Sequence, residues 1–168
     1  MNANTTSVRL TILQTMQKLF QGIAFNQPPN DPYGLEFSNV AIGPLAAFDQ
    51  KKRLSLGIVP GPEAETFQMP YVMCFMTVNL EIRLTVNQGD PPPGVFIEQA
   101  ITVVKRLVSA NRQWNKIAID TKVSGTEVDL TTYADRSALA VLMLEVQYRY
   151  SYSDPRNPLP ALGFAWCN

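Results

Sequence analysis

Two acidic pairs have the spacing that chemistry would need. Glu127 and Asp129 stand two residues apart, as do Glu63 and Glu65, and on extended chain that spacing puts both carboxylates on one face. Such a pair could divide the roles of acid and base, or clasp a divalent cation. A solvated sheet face has the same spacing with no chemistry attached, and that plainer reading is adopted for both pairs. Cys74 and Cys167 form no CxxC motif and read as packed or peripheral thiols. The chain has no histidine, so the commonest general base and metal ligand is missing and a Cys/His zinc site is excluded. Nor does any GxxxxGK[ST] or GxGxxG run offer a phosphate cradle. The expectation is a protein that is not an enzyme and uses neither cofactor nor metal.

Two further groups could bind rather than react. The segment "DQKKRL", Asp49 to Leu54, gathers Lys51, Lys52 and Arg53 in the one basic cluster. It reads as a charged turn that keeps a hairpin tip soluble, the sharper alternative being contact with an acidic partner or a passing nucleic-acid backbone. Tyr148, Tyr150 and Tyr152 alternate along "VQYRYSYSDPRNP" and could stack bases. They share parity with Leu142, Leu144 and Val146, however, and so continue a core face or a subunit contact.

The whole chain sets the frame for these groups. Its 168 residues fit one domain, by the usual size of such units. Hydrophobic residues make up 46% and charged ones 17%, below the common share of about 25%, which leans toward a subunit with covered faces. Fourteen Lys and Arg balance fourteen Asp and Glu, so no field of one sign steers the chain to nucleic acid or a membrane. "MNANTTSVRLTILQTMQ" has no basic run followed by a continuous apolar core, so neither a signal peptide nor a spanning helix is expected.

Positioning falls to a small set of elements. Thr5, Thr6 or Ser7 caps a first helix in which Val8, Ile12, Met16 and Leu19 recur at three- and four-residue spacing, and Gly22 ends it. "NQPPNDPYG" is a loop. Strand-like segments follow from about Leu35 to Ile42 and from Leu54 to Val59, the second closed by "VPGPE" as a turn. From Val72 to Val86 every even position is apolar, and so are the odd positions Tyr71, Met73 and Phe75, which predicts a strand buried on one face and, near its start, on both. At about 3.3 Å per residue it reaches roughly 50 Å, long enough to outrun its own core or bend. "GDPPPG" launches a second helix with Asp90 as a possible cap and an apolar stripe of Phe96, Ala100, Val103, Val104, Leu107 and Val108. "KIAIDTKV" and "EVDLTTY" read as a hairpin about Ser124-Gly125, and a last strand runs from about Leu139 to Ser153, halted by Asp154-Pro155. The order predicts an α+β fold, a mainly antiparallel sheet with long strands and two helices packed on one face. It places a single domain over residues 1–158 and an apolar C-terminal arm over 159–168. That arm, with Leu159, Leu162, Phe164 and Trp166, must dock on its own core or on a neighbour.

Taken together, the N-terminal amphipathic helix, the strand closing in "IVPGPE", the long strand "MPYVMCFMTVNLEIRL", the helix beginning near "PPPG" and the final strand ending "VQYRYSYSDPRNP" resemble the tail terminator, or tail completion, proteins of long-tailed bacteriophages. The resemblance covers roughly Ser7 to Pro158. It implies a virion protein assembled in the host cytoplasm, a homo-hexameric ring that caps the tail tube and stops its polymerisation. The ring would join the tail to head-completion or connector proteins and let double-stranded DNA pass through its lumen. Within that reading Arg149, Asp154 and Arg156 are assigned polar interface contacts, and Phe164 and Trp166 docking. A head-completion or connector protein is the nearest alternative; a small-ligand or nucleic-acid binding domain stands further off.

Overall fold

A computed structural model of the protein describes residues 6–22, 35–45, 54–129 and 136–159. Its elements are α1 (Val8–Gln21), β1 (Asn39–Ile42), β2 (Leu54–Gln68), β3 (Tyr71–Thr85), α2 (Pro93–Ala110), β4 (Ala118–Asp129), β5 (Ser137–Ser151) and β6 (Asp154–Pro158). The strands form one sheet in the order β1-β2-β3-β5-β4, with β6 also paired to β5. All pairings are antiparallel except β1 with β2. The fold is α+β, as the sequence predicts.

The core lies on one side of the sheet. Every even position of β3 from Val72 to Leu84 is buried, and so are the even positions of β5 from Ala138 to Tyr148. Val8, Ile12, Leu13, Met16 and Phe20 of α1 and Phe96, Ala100, Ile101 and Val104 of α2 belong to the same apolar cluster. Each of the larger side chains stabilises by about 1.5–3 kcal/mol when removed from water. The Ser7 hydroxyl caps α1 by accepting the Leu10 N–H at 3.3 Å, and the Gly22 N–H closes it on the Lys18 and Leu19 carbonyls. Gln17 and Gln21 reach from α1 to the Val40 carbonyl and tie the helix to β1. For α2 the cap is Pro92, with proline again in the first turn. Asp90 accepts the Asn87 N–H at 2.7 Å and so closes the preceding turn instead of capping the helix.

Five boundaries differ from expectation, three of them for a backbone reason. "VPGPE" is no turn: β2 runs through it to Gln68, with a bulge between Pro60 and Glu63. Prolines are tolerated there because a bulge on an edge strand leaves amides out of the ladder. A Cβ at Gly61 would lie 2.3 Å from Thr77 Oγ1, so any larger residue there displaces that side chain. Likewise Ser124-Gly125 is a bulge inside a single strand, β4, where the Ser124 hydroxyl donates to the Met143 carbonyl. Asp154-Pro155 does not end the sheet: the chain turns at Tyr152-Ser153 and returns as β6 beside Tyr150 and Ser151. The predicted strand over 35–42 contracts to β1, and the expected end of β5 moves from Ser153 to Ser151.

Candidate functional site

Strands β2, β3 and β5 are each fifteen residues long, and their lengths put one end of the sheet beyond the flanking β1. This end carries the groups that could act. Register aligns Glu65 with Cys74 and Cys74 with Tyr148, so three strands meet in one row; Glu63, Met76 and Val146 make the neighbouring row. The Tyr148 hydroxyl crosses above β3 and donates to Glu63 Oε2 at 2.5 Å. Tyr150 does the same to Glu65 Oε1 at 2.9 Å. Arg9 of α1 completes the group, donating to the Gly61 carbonyl at 2.8 Å and standing 3.6 Å from Glu63 Oε2. The acidic pair read as a merely solvated face is thus the acceptor side of a tyrosine latch.

Electrostatics here favours neutral donors. Burial raises the Tyr148 phenol far above its ordinary range, reinforced by its bond to Glu63. Burial, with the bond to Glu65, pushes Tyr150 up to about 12. The fully buried Cys74 thiol is also pushed up to about 12, first by burial and then by the Glu63 and Glu65 charges. One oxygen from each glutamate and Cys74 Sγ lie within 4.8 Å of one another, near enough to share a cation. The carboxylates are instead bonded to two phenols and an arginine, and a thiol so resistant to ionisation is a poor nucleophile. The arrangement therefore locks β2 to β5 across β3.

Beyond the latch the surface turns apolar. Phe67, Met69, Phe75 and Tyr152 are 66%, 78%, 49% and 55% exposed. Phe67 and Tyr152 meet edge to face at 5.8 Å, while on the other face Arg149 lies over the Tyr71 ring at 5.1 Å. Arg149 also donates to the Leu159 carbonyl at 2.8 Å and holds the chain as it leaves β6. Asp154 and Arg156 pair with each other at 2.8 Å, which holds the Asp154 carboxyl below its ordinary value. Of the residues assigned to contacts, Arg149 thus braces the chain after β6, and Asp154 and Arg156 pair with each other at the surface. Phe164, Trp166, Lys51, Lys52 and Arg53 lie outside the described residues. Phe67 and Met69 were not singled out in the sequence; Phe75, expected to be buried because β3 reads as apolar on both faces near its start, is exposed instead, since the helices cover only the even face.

Three other polar groups lie away from the latch. Arg112 forms a bidentate pair with Asp120 at 2.7 Å beside the turn after α2; there Trp114, Asn115 and Lys116 all take positive φ, anchored by the buried Trp114 indole donating to Thr121. On the sheet face away from the helices, Glu81 Oε2, Arg83 Nε and Thr85 Oγ1 are buried without hydrogen-bond partners among the described residues. Glu127 and Asp129 lie on β4 two residues apart, as the spacing predicts. No helix among the described residues is long and apolar enough to cross a membrane. The chain matches no protein-family model, and no curated protein matches it significantly.

Proposed function

We propose that this protein is a structural subunit that acts through its surfaces, forming the ring that terminates the tail of a long-tailed phage. The observation that carries the reading is the far end of the sheet, where Phe67 of β2, Phe75 of β3 and Met69 in the turn between them stand exposed beside strands cross-linked by the latch. A monomer gains nothing from apolar side chains kept in water, whereas a subunit buries them against a neighbour. The element order that resembles the terminators is compatible with the fold, and the balanced charge suits a wall that DNA slides past without being held. In this reading the ring caps the tail tube, meets the head-completion proteins, and works without catalysis or cofactor.

Light scattering after size exclusion tests it directly. The expected mass is about six times the 18.7 kDa of the chain, with rings bearing a central hole in negative stain. Added to polymerising tail tubes, the protein shortens them by capping. A monomer at every micromolar concentration, with no effect on tube length, overturns the proposal.

A further inference from the structure

We infer that the open margin of β2 from Glu63 to Gln68 forms a strand-to-strand joint with the β4–β6 margin of a second copy of this chain. The first half of β2 is flanked by β1, which pairs it over Ser55–Ile58. Past that point no described strand pairs with β2 on the side away from β3. Pro60 and Pro62 lack an amide hydrogen, so the usable margin begins at Glu63. On the far side of the sheet β4 and then β6 pair with β5, and among the described residues their outer margin is open as well.

Three features make these margins complementary. The first is direction: β2, β3, β5 and β4 alternate, and β6 runs like β4. A β2 placed beside the next copy's β4–β6 margin is therefore antiparallel to it, the more stable ladder, and keeps the helices of both copies on one side. Height is the second. The row through Glu63 passes Met76 and Val146 to Thr121, and the row through Gln68 passes Tyr71 and Ser151 to Asp154. The third is charge, since residues 63–68 hold two acids and no base, whereas the strand residues they would face, 118–122 and 154–158, hold two bases and two acids and oppose the glutamates with no net charge. Joining β2 to another β2 would bring the glutamates of both copies together, a destabilising juxtaposition. Two different margins make a heterologous joint, and a joint of that kind closes into a ring or extends into a filament.

Closure into a ring rests on the function proposed above; the joint does not. Cysteine pairing separates the two. In a Cys167→Ser background, Thr66→Cys is combined with Asn157→Cys, and separately with Ile119→Cys, while each single variant and its melting temperature serve as controls. The double variants are expected to give a ladder of disulfide-linked species on a non-reducing gel, ending at the mass of the native oligomer, with the single variants unlinked. A linked ladder without a closed ring supports the joint and removes the ring. A native hexamer with no linkage in either double variant overturns the joint and leaves the ring. Dimers from Thr66→Cys alone overturn it in favour of a twofold β2 pairing. A chain that stays monomeric and unlinked overturns both.

Discussion

The two halves of β2 share one strand and one ladder yet stand in opposite environments. From Leu54 to Ile58 every residue is buried, and from Ala64 to Gln68 every residue is exposed. The first half has β1 alongside, α1 on one face and Leu45 on the other, where a Cβ on Gly57 would sit 3.0 Å from the Leu45 side chain. The second half has only β3 and the tyrosine latch. Burial stabilises the first; hydrogen bonding shapes the second and leaves its apolar groups free. The difference teaches that a sheet can export rigidity beyond its core, provided polar cross-links replace packing.

Changes that break this contrast should differ most in size where burial is deepest. Leu80→Ala removes a fully buried side chain from the middle of β3 and is expected to cost about 2–5 kcal/mol, read as a lowered denaturant midpoint with subunits lost to unfolding. Tyr148→Phe leaves the packing but deprives Glu63 of its donor; a cost of about 1–3 kcal/mol is expected, with faster hydrogen exchange over residues 62–77. An unchanged exchange pattern there would show that the latch does not stiffen the extension.

The latch also predicts an alkaline limit. In the unfolded chain Cys74 ionises near 9.0 and Tyr150 near 10.0, while in the fold both resist until about 12. Between those limits the unfolded state binds fewer protons, so stability is full below about pH 9 and falls as the pH climbs toward 12. Denaturant midpoints measured from pH 7 to 11 check this, and Tyr150→Phe should flatten the decline. Phe67→Ser with Met69→Ser should change monomer stability by no more than about 0.5 kcal/mol while abolishing assembly. Arg156→Ala is the smallest: loss of a surface pair should leave the melting temperature and the oligomer as they were.

Alternation made β3 and most of β5 legible, because the helices cover one face and the parity on that face is apolar without a break. The stripe of α2 was legible too, with Phe96, Ala100, Val103, Val104 and Val108 all buried. Proline and glycine misled. In "VPGPE" and at Ser124-Gly125 they mark bulges, and a bulge differs from a turn only through the strand opposite it, here Thr77 and Met143. The pair Glu63 and Glu65 could not be matched to Tyr148 and Tyr150, since 85 residues separate each donor from its acceptor.

By itself, then, the sequence determined the class of fold, the buried face of each long strand and the absence of histidine chemistry, all properties carried by residue type and local period. Tertiary structure alone decided that β2 outlasts its flanking strand, that tyrosines from β5 reach its carboxylates, and that aromatic side chains are left exposed at the far end. Those outcomes depend on register between strands distant in the chain, and register is settled by the summed packing of the whole face.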